Sequence, residues 1–242
     1  MTPTLVLVHG AGDTARVWRA TQELLDTPSF ALDLLGRGSR PFDLTAVTIE
    51  LAARHAARDV EEHASGDVVV VAHSAGGIVA PRLAAVLGDR VRHLVLVAGV
   101  TAPEGEVAAD VVHPERRAQF EAARPKLLGE HRGRSYARGE SIAAVPSHLE
   151  AIADPGVVRA IESLNLMFQP VSWKGVRADL PRTFVRPLGD PLQTREMQAR
   201  LAAAARCTEV VDIDADHTPA RSAPAELAAL LDVIAARYRS AR

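Results

Sequence analysis

Only one cysteine, Cys207, occurs in the 242 residues. No disulfide can form within the chain, and a cysteine-rich metal site has no ligands. Long apolar runs are also missing, since none approaches the roughly 18–20 residues that cross a bilayer. The first apolar run is only Leu5 to Val8, and the start, Met1-Thr-Pro-Thr, carries no basic segment. A membrane span and a secretory signal are therefore not expected, and the cytoplasm is the expected compartment. Neither sign of charge dominates. The formal net charge of −2 leaves no electrostatic footprint for nucleic acid. The remainder is an ordinary globular balance, 48% hydrophobic and 24% charged. A chain of this length routinely forms one domain with a large core.

The most informative stretch is Val68-Val-Val-Val71-Ala72-His73-Ser74-Ala75-Gly76-Gly77. Four consecutive valines read as a buried central strand. Helical spacing resumes at Ile78, Val79, Arg82, Leu83 and Val86. Ser74 therefore sits at a tight strand-to-helix corner, where Ala72, Ala75, Gly76 and Gly77 are small enough to avoid the backbone. The helix that follows aims its first N–H groups at the same spot, which favours negative charge there. Pro81 falls inside this helix past its first turn and predicts a kink.

The rest of the first hundred residues alternates strand and helix. Leu5–Val8 is a strand closed by His9-Gly10-Ala11-Gly12, after which Asp13 or Thr14 is placed to cap a helix carrying Val17, Trp18, Leu24 and Leu25. Ser29–Leu32 is a second strand, followed by the glycine-rich turn Asp33-Leu-Leu-Gly36-Arg-Gly38-Ser39. Thr48 opens a helix with Ile49, Ala52, Ala53, Ala56 and Val60 on one face, and Val91–Ala98 is a further buried strand. Repeated β–α–β units imply a parallel sheet. Between about Thr101 and Gly175 no alternation is visible. Helical pieces are expected at Pro114–Leu128, Ser147–Ile152 and Asp154–Leu164, the last capped by Asp154 with Pro155 at its first position. Seven basic residues face three acidic ones between Glu115 and Arg138, and a solvated surface accounts for them. Leu166, Met167 and Phe168 suit either a core or a pocket. Alternation resumes with strands at Arg182–Arg186 and Glu209–Ile213 and a final helix from Pro224.

These features together resemble the α/β-hydrolase superfamily, and within it the small esterase and methyl-esterase branch. The Ser74 corner resembles its G-x-S-x-G nucleophile elbow, with Ala72 in place of the first glycine. The His9-Gly10 turn resembles its oxyanion loop, Asp33–Ser39 its D-x-x-G-x-G-x-S loop, and Asp216-His217-Thr-Pro219 its histidine loop. The resemblance implies about six parallel strands flanked by helices. Residues 1–100 and 176–242 would form the core and 101–175 a helical cap inserted into it. It also implies catalytic roles for Ser74, Asp190 and His217, in the family's order of nucleophile, acid and base. The backbone N–H groups of Ala11 and Ala75 would form the oxyanion hole.

Asp190 has a competing structural reading, because Asp190-Pro191-Leu192-Gln193 also reads as a helix start. Glu104 is the alternative acid. Asp214 and Asp216 lie too near His217 along the chain to reach behind its ring. His9 is expected to hold its loop by hydrogen bonds, and His73 to point away from Ser74. The implied function is hydrolysis of a small-molecule carboxylic ester or related acyl bond, with no metal and no organic cofactor. Two other readings fit the same residues: a lyase, cyclase or cofactor-free oxygenase, or a ligand receptor. Thr218 stands where the hydroxynitrile lyases of this branch place a lysine, which disfavours the lyase. Substrate identity and oligomeric state are not encoded in any motif.

Overall fold

The computed structural model describes residues 2–137 and 145–239. In chain order the first half comprises β1 (Thr4–Val8), α1 (Arg19–Gln22), β2 (Ser29–Leu32), α2 (Ile49–His63), β3 (Val68–His73), α3 (Gly76–Leu87) and β4 (Val91–Val97). Then follow α4 (Ala108–Val112), α5 (Arg117–Glu130), β5 (Arg134–Tyr136), β6 (Glu150–Ile152) and α6 (Pro155–Asn165). The last part holds β7 (Arg182–Pro187), α7 (Arg195–Ala204), β8 (Glu209–Ile213), α8 (Pro219–Ser222) and α9 (Pro224–Ala236). The main sheet has six strands in the order β2-β1-β3-β4-β7-β8, all parallel to their neighbours.

The valine run is explained by this layering. Alternate side chains leave a strand on opposite faces. Val68 and Val70 enter one core with Ala53, Val60, Ile78 and Leu83 from α2 and α3. Val69 and Val71 enter the other with Trp18 and with Leu227, Leu231 and Ile234 of α9. All four valines are fully buried, and each such burial is worth roughly 1.5–3 kcal/mol. A sheet covered on both faces requires this unbroken apolar run.

Two local expectations are corrected. The first helix is not capped by Asp13 or Thr14: Thr14 makes no side-chain cap bond, and the N–H of Ala15 is taken instead by Asp33 Oδ1 at 2.7 Å. The cap comes from the next strand's loop, which local spacing does not reveal. The helix itself is a 3-10 turn (Ala15–Trp18) running into the four residues of α1. α3 runs without interruption through the buried Pro81. Second, the helix expected at Ser147–Ile152 is absent. Residues 150–152 form β6, paired in parallel with β5. Tyr136 and Ile152 of that pair share a small core with Leu44, Val158 and Ile161, and this tertiary burial overrides local propensity.

In the segment between β4 and β7, α6 contacts the loops after β1 and β2. Asp154 caps this helix as expected, accepting from Gly156 N at 2.7 Å. Its buried face is less apolar than its spacing predicts. Glu162 and Asn165 are buried there, and Asn165 Nδ2 donates to the carbonyls of Leu44 and Val47 at 2.9 and 3.0 Å. The basic residues of this region are largely engaged. Arg117 pairs with Asp110 and Glu121, and Arg134 with Glu150. Arg138 lies outside the described residues.

Candidate active site

Ser74, Asp190, His217 and Ala11 follow β3, β7, β8 and β1 respectively. All four therefore sit at the carboxyl edge of the parallel sheet, where open α/β sheets place their sites. Ser74 holds φ +46°, a left-handed conformation that costs a non-glycine residue on the order of 1–3 kcal/mol. Surrounding hydrogen bonds impose it. Its N–H donates to Val97 O at 3.0 Å, and its carbonyl accepts from Gly77 N at 2.9 Å and Val100 N at 2.8 Å. Gly76 is required by close approach, because a Cβ there would lie 2.6 Å from the carbonyl oxygen of His9. Ala72, in place of the pattern's glycine, is fully buried in β3.

The three side chains singled out in the sequence meet. Ser74 Oγ lies 2.9 Å from His217 Nε2, and His217 Nδ1 donates to Asp190 Oδ2 at 2.7 Å. A proton on Nδ1 leaves Nε2 as the acceptor for the serine hydroxyl. The Asp190 side chain is 1% exposed and that of His217 15%. Oδ1 of Asp190 accepts from the N–H groups of Leu192 at 2.8 Å and Gln193 at 3.0 Å. The expected helix start at this point is a turn, and α7 begins later with Thr194 as its cap. The structural and the orienting roles of Asp190 fall on different oxygens of one carboxylate. Burial alone would raise its pKa. The bond to His217 Nδ1, the imidazole's charge and the two turn N–H groups outweigh that and hold it below the usual carboxylate range.

Other acids are engaged elsewhere. Glu104 accepts from Trp173 N at 2.5 Å and from Ser172 Oγ at 3.3 Å. Asp216 Oδ1 accepts from Thr218 N and Ser222 Oγ, each at 2.7 Å, and shapes the His217 loop. The N–H groups of Ala11 and Ala75 have no acceptor among the described residues, and both residues line the cavity that holds Ser74.

Two histidines that flank this site are structural. His9 Nδ1 donates to Gly10 O at 2.9 Å, while its Nε2 accepts from Leu34 N at 3.0 Å, the loop-holding role expected of it. His73 donates from Nε2 to the carbonyl of His217 at 2.7 Å. It thereby ties the histidine loop to β3, a role its sequence position does not signal. Burial lowers the pKa of His9 to about 4 and that of His73 to about 3, the latter helped by the charge of His217. His93, bridging Tyr238 Oη and Thr183 Oγ1, is also lowered by burial, to about 4. All three histidines are depressed from an unfolded value near 6.5, so their contribution to stability is complete above that pH and is lost as pH falls towards the folded values. Unfolding free energy is expected to drop on acidification from pH 6.5 to pH 4, by up to about 1.4 kcal/mol per pH unit for each histidine. Urea midpoints of the wild type and His93→Gln across that range check this. The variant's slope should be shallower by about one proton.

The cavity above Ser74 has a volume of about 550 Å³. Its walls include Val100, Phe120, Leu164, Met167 and Phe168 from the segment between β4 and β7, with Leu192 and Met197 from the stretch after β7. Leu166 belongs to the core instead. Arg116 also lines the cavity, its guanidinium carbon 4.8 Å from the centre of the Phe120 ring. Among the described residues no cluster of histidine, cysteine, aspartate or glutamate is arranged to hold a metal ion. No helix of the described residues is long and apolar enough to cross a membrane.

Comparison with known proteins agrees with this architecture. Lipase LipV of Mycobacterium tuberculosis is 38% identical over 112 residues, 46% of this chain and 42% of that protein. The chain spans less than half the length of the curated relatives it matches. An extracellular alpha/beta-hydrolase from a Paenibacillus species superposes with a TM-score of 0.71 at 18% identity, over 95% of this chain and 97% of that one. A methylesterase protein from Arabidopsis gives a TM-score of 0.62 at 20% identity, over 98% of this chain and 100% of that one. These two likenesses carry the fold. The model of the alpha/beta hydrolase family matches residues 5–230, nearly the whole chain, and with it the chain belongs to that family.

Proposed function

We propose that this protein hydrolyses a carboxylic ester or related acyl bond of a small molecule through an acyl-enzyme. The observation that carries the reading is the unbroken hydrogen-bond chain from Asp190 Oδ2 through His217 to Ser74 Oγ. A serine hydroxyl is a weak nucleophile until a neighbouring base accepts its proton. In this reading His217 Nε2 takes that proton as Oγ attacks the carbonyl carbon. The carbonyl oxygen becomes an oxyanion held by the N–H groups of Ala11 and Ala75. Such a donor is worth about 2.7–4 kcal/mol in the transition state. The imidazolium, stabilised by Asp190, returns the proton to the departing alcohol, and an acyl group remains on Ser74. Water, deprotonated by the same imidazole, then releases the acid. No step calls on a metal or organic cofactor.

The segment 101–175 acts in this reading as a cap that shapes the acyl pocket. Its apolar contributions, Phe120, Leu164, Met167 and Phe168, favour an acyl or alcohol portion with substantial hydrocarbon. The naming of LipV as a lipase and of a structural neighbour as a methylesterase fits the same class.

The experiment is labelling with a fluorophosphonate, mass mapping of the modified peptide, and turnover of 4-nitrophenyl esters of graded acyl length. Labelling is expected on Ser74, with kcat/KM varying across the series. Absence of both labelling and turnover overturns the proposal.

A further inference from the structure

We propose that Glu162, on α6, is a positioning residue for the oxyanion hole, setting the Ala11 N–H through the adjacent Gly12. The inference rests on the reading of Ala11 as an oxyanion donor. The loop after β1 is anchored at both ends by the loop after β2. His9 Nε2 accepts from Leu34 N, and Asp33 Oδ1 accepts from Ala15 N. Between those anchors Asp13 N reaches Gly10 O at 3.4 Å, and Asp13 Oδ1 pairs with Arg221 of α8. The middle of the loop is held from outside the sheet. Gly12 N donates to Glu162 Oε2 at 2.8 Å in a buried bond.

The fit around Gly12 is close. Its φ is +69°, and a Cβ there would lie 2.6 Å from the Pro155 carbonyl oxygen and 3.5 Å from Arg159 Cβ. Pro155, Arg159 and Glu162 are spaced i, i+4, i+7, so one face of α6 seats the loop. Glu162 is in turn held by Arg37, from the loop after β2, in an ion pair. Arg37 is 1% exposed and Glu162 4%. A buried carboxylate paired on one oxygen presents the other in a defined direction. That direction is towards Gly12 N; it fixes the Ala11–Gly12 peptide and, across the Ala11 Cα, limits how the preceding Gly10–Ala11 peptide, which carries the Ala11 N–H, can turn. The oxyanion pocket is then completed by the segment between β4 and β7 as well as by the sheet's own loops, and a displacement of α6 would turn the Ala11 N–H away from the carbonyl oxygen.

Removing one member of a buried ion pair strands the other charge, so paired variants make the test. R37M/E162Q removes the ion pair and keeps a carbonyl acceptor for Gly12 N. R37M/E162M removes both. On 4-nitrophenyl esters, R37M/E162M is expected to lose about 10- to 100-fold in kcat relative to R37M/E162Q, the scale of a misplaced transition-state contact, with little change in KM. The rate of fluorophosphonate labelling of Ser74 should fall in parallel. Equal kcat and equal labelling in the two variants, whatever their melting temperatures, overturn the proposal. Should R37M/E162M not fold, Glu162→Asp carries the test. It keeps the charge opposite Arg37 but shortens the reach to Gly12, so kcat should fall at unchanged KM, and an unchanged kcat rejects the proposal. If every variant matches the wild type while Ser74→Ala is inactive, the hydrolase reading stands and only this proposal falls. If the wild type neither labels nor turns over any ester, the hydrolase reading fails and this proposal with it.

Discussion

Ser74→Ala is expected to lose ester turnover on the order of 10⁶-fold in kcat, the scale reported when the nucleophile of such a unit is removed. Fold stability should barely change. The hydroxyl makes one side-chain hydrogen bond, to His217, and net hydrogen-bond contributions are about 0.5–1.5 kcal/mol. The strained φ of +46° is no worse for alanine than for serine, since both carry a Cβ. The backbone bonds that impose it, from Ser74 N and to Ser74 O, do not involve the side chain. Steady-state kinetics, intact-mass measurement after fluorophosphonate treatment, and thermal melting on the same preparation check the expectation. Hydrolysis or labelling that survives the substitution at the wild-type level would move the nucleophile away from this corner.

Asp190 separates two roles that lie on one carboxylate. Asp190→Asn keeps an oxygen for the N–H groups of Leu192 and Gln193, and asparagine serves such turns about as well as aspartate. Its amide would then face His217 Nδ1 as a donor. The imidazole must turn its unprotonated nitrogen to that amide, which places the ring proton on Nε2 and removes the acceptor for Ser74 Oγ. Loss of the negative charge also leaves the imidazolium without its counter-ion. The expected result is a fall of about 10⁴-fold in kcat with near-native melting. Asp190→Ala should lose activity and also about 1 kcal/mol of stability with the turn bonds. Melting temperature and kcat on both variants decide the matter. Full activity in Asp190→Asn would assign the residue to the turn alone. Glu104 is not the fallback, because its carboxylate is committed to Ser172 and Trp173.

Much of this was legible in the residue order. Periodicity is enough to find an all-apolar strand such as Val68–Val71, because burial on both sheet faces leaves no polar position. Small residues around Ser74 announce a corner because a side chain at Gly76 would meet the His9 carbonyl and one at Gly77 the Val100 carbonyl. Ser74, Asp190 and His217 each stand just past a strand, and parallel connectivity puts every strand's carboxyl end on one edge; that these three belong together is what the family resemblance implies.

What local order cannot carry is the partner that is distant in sequence. The first turn after β1 takes its cap from Asp33, not from its own Asp13 or Thr14. His73 reads as a neighbour to Ser74 that points away, yet its ring secures the His217 loop across 144 positions. Residues 150–152 pair as a strand because Tyr136 and Ile152 fill a small core with Leu44, which no window around them records. No residue near Glu162 in the chain marks its partners, while in the fold it is buried between Arg37 and Gly12. The sequence by itself determined the parallel sheet, the corner and the loop positions of the three side chains. These follow from steric size, apolar period and chain direction, all local properties. Only the tertiary structure decided which polar groups meet. A buried hydrogen bond or ion pair is specified by two segments at once, and its geometry exists only after both have packed.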